Sequence, residues 1–194
     1  MERRGLYEEE VKFEVVSVED VQRFLEHHGF TKLDECVEVD YYYNHPCRSF
    51  QTTDEALRLR LRKCTNSVTV ALTYKGPRIR GDEHVKKREE IELYFDYEKL
   101  AKIALLLDRL GFKLVLSFTK TRTLYQNGGL KASIDHLHGV GYYLELELVD
   151  ELSKQLMTNL VSKLVHELKL KPVEKTYLEI CLELATCKAP FTYQ

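Results

Sequence analysis

Alternation constrains this chain more than any other feature, because in segment after segment every second residue is charged and its neighbours are apolar. In "EEEVKFEV", Glu8, Glu10, Lys12 and Glu14 take one parity while Val11, Phe13 and Val15 take the other; in "ALRLRLR", Arg58, Arg60 and Arg62 alternate with Leu57, Leu59 and Leu61. A period of two sends successive side chains to opposite faces of a strand, whereas a helix needs about 3.6 residues per turn. Stretches of this kind lie near 7–15, 34–43, 55–63, 67–75, 85–95, 113–123, 130–136 and 142–149 and predict about eight strands. Helical spacing is confined to "VEDVQRFLEHHGF", "YEKLAKIALLLDRLGF", "ELSKQLMTNLVSKLVHEL" and "VEKTYLEICLEL", the first two stopping at Gly29 and Gly111. Turns are expected at Asn44-His45-Pro46, Gly76-Pro77, Asn127-Gly128-Gly129 and Gly139-Val140-Gly141. No linker or low-complexity tract intervenes, so residues 1–194 read as one domain, mainly β (α+β), with C-terminal helices over about 152–186.

The bulk properties exclude several classes of function. With 44% hydrophobic residues the chain can bury a core, and a formal net charge of −2 gives no global field for a nucleic acid or membrane partner. No run approaches the roughly 18 apolar residues of a membrane helix, and "MERRGLYEEE" lacks the apolar segment of a secretory signal, so the default expectation is a cytoplasmic protein. The cysteines, Cys36, Cys47, Cys64, Cys181 and Cys187, are odd in number and form no C-x-x-C pair; they read as reduced thiols. His136 and His138 share a parity that Asp135 does not, and read as surface residues rather than a metal pair.

A weak echo runs through the chain. "EEEVKFEV", helix, "HHGF", strand is followed by "REEIELYF", helix, "RLGF", strand, and aligning Gly29 with Gly111 sets Asp40 against Arg122. Two related halves feeding one closed sheet would produce this pattern; so would chance similarity of two strand-helix-strand units.

The charged parity recurs on nearly every strand. Lys75, then Lys86, Arg88, Glu90 and Glu92, then Lys120 and Arg122, Asp135, and Glu145 and Glu147 extend the series begun by Glu8 and Arg58. An open antiparallel sheet with one wet face is the simplest explanation of any single strand. A wet face, however, usually mixes Thr, Ser, Gln and Asn with charge, and these faces are almost wholly Arg, Lys, Glu and Asp. If the sheet closes with helices outside, they line a bore. Burying ions dry costs several kcal/mol each, so the bore is expected to be wet and to hold a ligand of matching charge. Clustered Arg and Lys suit a polyanion, and clustered carboxylates suit a hard divalent cation. A metal-bound triphosphate supplies both.

The motifs resemble those of the CYTH superfamily, the triphosphate tunnel metalloenzymes. Glu8-x-Glu10-x-Lys12 is similar to its E-x-E-x-K signature; Asp40-x-Tyr42-Tyr43, "EALRLRLR", "LTYKGP", Lys86-x-Arg88-x-Glu90-x-Glu92, Lys120-x-Arg122, Asp135 and Gly141-x-Tyr143-x-Glu145-x-Glu147 follow in order. The stretch "DYYYNHPCRSFQTTDEALRLRLR" looks most like the class IV adenylate cyclase branch. The resemblance implies a closed antiparallel barrel of about eight strands around a charged tunnel. It implies Mg or Mn held by Glu8, Glu10, Glu145 and Glu147. Substrate phosphates would be gripped by Lys12, Arg58, Arg60, Lys75, Arg88, Lys120 and Arg122, and Glu8, Glu10, Lys12 and Asp135 would serve catalysis. Glu90, Glu92 and Asp135 could instead orient arginines, bind a second metal or position the attacking group. The implied partner is a small-molecule triphosphate such as ATP or tripolyphosphate. Cyclase, phosphohydrolase and non-catalytic polyphosphate binder share these motifs, and the sequence leaves open whether the chain pairs with a second copy. Tyr42 and Tyr43 read as packing residues rather than a base-stacking pair.

Overall fold

In the computed structural model, residues 7–80, 85–184 and 187 are described. Eight strands, β1 (Tyr7–Val15), β2 (Thr31–Asn44), β3 (Ala56–Cys64), β4 (Val68–Arg80), β5 (Lys86–Asp96), β6 (Lys113–Asn127), β7 (Leu130–Leu137) and β8 (Gly141–Leu148), form one antiparallel sheet in the order β5-β4-β3-β2-β6-β7-β8-β1. Pairing of β1 with β5, from Tyr7 opposite Glu89 to Glu10 opposite Lys86, closes the barrel. A two-residue strand, β9 (Lys171–Pro172), adds to the far edge of β1.

Alternation decides what each face meets. Val11, Phe13 and Val15 point outward and join Ala132, Ile134, Leu144 and Leu146 under α1 (Val18–His27) and α3 (Lys154–His166). Tyr41, Tyr43, Leu59, Leu61 and Val70 form a second outer core beneath α2 (Leu100–Arg109). The opposite parity faces the bore, as closure requires. A fourth helix, α4 (Tyr177–Leu184), packs at one end of the barrel against inward-facing Tyr42, Phe118, Leu137 and Tyr143.

Local chemistry explains the helix ends. Ser17 caps α1 by accepting from the Asp20 amide, and Gly29 (φ 81°) and Gly111 (φ 89°) take the left-handed conformation that ends α1 and α2. At α4, Thr176 Oγ1 accepts from the Glu179 amide while Glu179 Oε2 accepts from the Thr176 amide, a reciprocal capping box. The predicted C-terminal helices are shorter than expected: the chain runs extended between α3 and α4, and residues 185–186 lie outside the described part.

The echo is a real duplication of topology. Exchanging β1 with β5, β2 with β6, β3 with β7 and β4 with β8 reproduces the same circle of neighbours. Asp40 pairs in register with Arg60 on β3, and its counterpart Arg122 pairs in register with Asp135 on β7, so the two halves share a cross-strand slot with the signs reversed.

Two expectations need correction. Gly76-Pro77 is not a turn; β4 runs on to Arg80 through a register shift between Lys75 and Arg78, where the Gly76 carbonyl accepts from the Arg88 guanidinium. Nor are the cysteines all free. Cys36 and Cys64 lie directly opposite on β2 and β3 and are disulfide-bonded, as are Cys181 and Cys187 at the end of α4, leaving Cys47 as the free, exposed thiol among the described residues. Opposition of residues 28 apart depends on strand register, which cysteine counting does not reveal. No helix among the described residues is long and apolar enough to cross a membrane.

Candidate functional site

The bore encloses a cavity of about 1240 Å³. Its wall includes Glu8, Glu10, Lys12, Arg58, Arg60, Lys75, Arg88, Lys120, Arg122, Glu145 and Glu147, so closure brings together every predicted site residue except Asp135. Asp135 is wholly buried behind that wall, where it accepts from Lys120 Nζ at 2.9 Å, Arg122 Nε at 2.7 Å and Tyr177 Oη at 2.8 Å.

Strand direction sorts the charges along the axis. Lys12, Lys86 and Lys120 lie toward the end occupied by α4, with the Lys12 and Lys86 ammonium groups both donating to the Lys175 carbonyl that precedes it. Glu8, Glu10, Glu92 and Glu147 come from strand ends at the other mouth, where Lys131 and Glu147 are about half exposed. Three ammonium groups thus gather toward α4, while Lys75 and Lys131 lie among the carboxylates.

Most of these charges already have partners. Asp40 grips Arg60 through two hydrogen bonds of 2.6 and 2.7 Å, and Glu38 holds Arg62 at 2.6 Å, Arg60 at 3.1 Å and Lys120 at 3.3 Å. Lys75 lies between Glu8 at 2.6 Å and Glu90 at 2.7 Å; Glu145 meets Lys12 at 3.3 Å and also Arg122. Beyond the ligand of matching charge that the sequence leads one to expect, the strands supply much of the counter-charge to one another. Opposite signs meet across β2–β3, β2–β6 and β6–β7, so a dry ionic wall stands behind the lumen there, and mutual neutralisation is what permits Glu38, Asp40 and Asp135 to be fully buried.

Two groups stand outside this balance. Arg58 is held loosely, by Thr73 at 3.1 Å, Glu92 at 3.3 Å and Glu90 at 3.8 Å, and its buried Nε has no hydrogen-bond partner among the described residues. The Glu10 carboxylate has neither a hydrogen bond nor an ion pair among the described residues. Burial, aided by the charges of Glu145 and Glu8, pushes its carboxyl above the usual range. Burial raises Glu8 and Glu147 as well. In Glu145 and Glu38 burial acts the same way but is outweighed: Lys12, Arg122 and Lys120 hold the first well below the ordinary carboxylate range, and Arg60, Lys120, Arg122 and Arg62 do so for the second.

Glu38 is missed by the parity argument although it shares the face of Asp40, and Arg62, which the charged parity includes, is not named as a site residue. Lys86, whose ammonium is pushed down to about 8 by burial and the charge of Lys12, belongs to the same series. Tyr177 comes from outside the barrel; its only sequence signal is the Thr176-x-x-Glu179 capping box just before it. Glu90 and Glu92 orient Lys75 and Arg58, while Arg88 donates to the backbone carbonyls of Gly76 and Asp54. Tyr42 stacks on Phe118 and Tyr43 packs in the α2 core, which is the packing role expected of them. His136 stacks on Tyr142, outside the cavity. Asp34, Cys36 and Cys64 bring potential ligand atoms within 4.8 Å of one another, but the two sulfurs are bonded to each other.

Comparison with known proteins agrees with this geometry. The family profile described as CYTH domain matches residues 6–177. A Methanocaldococcus jannaschii protein named "Putative adenylate cyclase" is 35% identical over 181 residues, covering 90% of this chain and 98% of its own. A solved protein of Pyrococcus horikoshii superposes with a TM-score of 0.77 at 34% identity, covering 91% of this chain and 99% of its own. A Hippeastrum protein, described as a "putative adenylyl cyclase" with a dominant triphosphatase activity, shares the fold at 18% identity, with a TM-score of 0.67 over 92% of this chain and 96% of its own.

Proposed function

Because the chain belongs to the CYTH family, we propose that it is a divalent-metal-dependent enzyme acting on a linear triphosphate in the tunnel, with ATP converted to cyclic AMP and pyrophosphate as the first reading. The observation that carries it is the coexistence, on one cavity wall, of a buried guanidinium donor without an acceptor at Arg58 and a carboxylate without a cation at Glu10. A polyanion would complete the first and a cation the second.

The donor set fits Mg or Mn. Glu8, Glu10, Glu145 and Glu147 offer hard carboxylate oxygens, and the burial that pushes Glu8, Glu10 and Glu147 upward is a cost that a divalent cation would offset. Such a cation supplies Lewis-acid stabilisation of the charge that develops on transferring phosphoryl oxygens. The chain's own basic residues do the rest. Arg58 and Lys75 reach the phosphates from β3 and β4, Lys12 and Lys120 add positive charge at the α4 end, and Arg60 and Arg122, fixed by Asp40 and Asp135, add a rigid positive wall. Attack by the ribose 3′-hydroxyl on the α phosphorus forms one P–O bond as the bond to pyrophosphate breaks.

Water attacking the terminal phosphorus instead would make the protein a tripolyphosphate, thiamine triphosphate or nucleoside triphosphate phosphohydrolase, and the same basic grip serves that second reading. This reading keeps the chain in the cytoplasm with its substrates. The deciding experiment incubates the purified protein with Mg or Mn and ATP, tripolyphosphate or thiamine triphosphate and identifies products by phosphorus NMR. Cyclic AMP with pyrophosphate selects the cyclase and orthophosphate the hydrolase; binding without any product would leave a polyphosphate binder and end the enzyme reading.

A further inference from the structure

Tyr177 is the side chain through which α4 enters the basic end of the tunnel. Its ring face lies 3.7 Å from Lys12 Nζ and 4.8 Å from Lys120 Nζ, and its hydroxyl donates to Asp135, the carboxylate that also holds Lys120 and Arg122. Tyr143 and Phe118 pack edge-on against it.

An ammonium group has three donor directions. Lys12 spends one on Glu145 at 3.3 Å and one on the Lys175 carbonyl at 3.3 Å, and the ring takes the third. Lys120 likewise spends two on Asp135 at 2.9 Å and Glu38 at 3.3 Å, with the same ring on its remaining side. A single aromatic ring therefore lies against two ammonium groups. The negative face of a π system is a weak substitute for an anion. All three residues border the cavity, so the shared space is continuous with the lumen.

We propose that Tyr177 is a specificity-determining residue: its ring fills a phosphate subsite that Lys12 and Lys120 would otherwise form, and so limits the length of the polyphosphate chain the tunnel holds. The inference rests on the triphosphate reading above. A chain held in the lumen by Arg58 and Lys75 stops against the ring.

The test compares affinities of linear tripolyphosphate and linear tetraphosphate, with and without magnesium, by calorimetry on the full chain. Tyr177→Leu removes the ring while keeping an apolar contact to Phe118 and Tyr143, and Tyr177→Phe keeps the ring but loses the bond to Asp135. Tyr177→Gln, which retains a donor for Asp135, serves if the leucine variant does not fold. The leucine or glutamine variant is expected to shift the ratio of affinities toward tetraphosphate by about tenfold, the worth of a charge-assisted phosphate contact, with the phenylalanine variant unchanged. An unshifted ratio, or an equal shift in the phenylalanine variant, overturns the inference alone. Wild-type protein that binds neither polyphosphate overturns the triphosphate reading and this inference together.

Discussion

Replacing Glu38 by Gln tests the dry ionic wall directly. Glu38 is fully buried and lies within 4 Å of four cations, Arg62 at 2.6 Å, Arg60 at 3.1 Å, Lys120 at 3.3 Å and Arg122 at 3.9 Å. The amide keeps the shape and removes the charge, leaving Asp40, Asp135 and Glu145 to balance the cluster. Breaking a buried ionic network at one partner costs about 3–5 kcal/mol, and for a chain of this size each kcal/mol lowers the melting temperature by about 2–4 °C. The expected fall is therefore about 6–20 °C, read by thermal unfolding with circular dichroism. Tripolyphosphate should recover more of the melting temperature in the variant than it adds to the wild type, because a polyanion in the lumen supplies part of the missing negative charge. A variant melting within about 2 °C of wild type would refute the reasoning, since the four cations would then not depend on this carboxylate.

Glu10→Gln should abolish metal-dependent turnover yet raise the melting temperature of the metal-free protein at neutral pH, because the fold disfavours the ionised form of this group; a lower melting temperature would contradict that sign. Lys75→Ala should weaken tripolyphosphate binding more than orthophosphate binding by calorimetry, and equal losses would argue against a multi-phosphate grip. Glu38, Asp40 and Glu145 have folded values held below their unfolded ones, so the stability they add is complete above about pH 5 and drains only as pH falls through the depressed values. Acid titration followed by circular dichroism should accordingly show unfolding below the ordinary carboxylate range. Replacing both Cys36 and Cys64 with Ser should cost about 3.6 kcal/mol, the entropy expected of a loop of this length, and mass spectrometry of the unreduced wild type should find the pair joined.

Parity made much of this legible. The strict alternation in "EEEVKFEV" and "ALRLRLR" placed Glu8, Glu10, Lys12, Arg58 and Arg60 on a common side, and only a closed sheet turns such sides toward one another. What parity does not carry is register. That Arg60 is locked by Asp40, whereas Arg58 two residues earlier is loosely held, depends on which residue of β2 or β5 lies alongside. The disulfide between Cys36 and Cys64 and the placement of Asp135 behind Lys120 and Arg122 belong to the same class of fact. Tyr177 was hidden for a different reason: an aromatic in a short amphipathic helix looks like core, and its approach to Lys12 arises from where α4 docks.

The reversed signs of the two halves have a consequence for ancestry. The alignment that matches Gly29 with Gly111 matches Glu38 with Lys120, and these two residues are register partners of each other across β2 and β6. Two unaltered copies of either half would therefore bring glutamate against glutamate, or lysine against lysine, in a region sealed from solvent. Divergence at this one point is thus a condition for joining the halves, and no perfectly symmetric predecessor could have carried this wall.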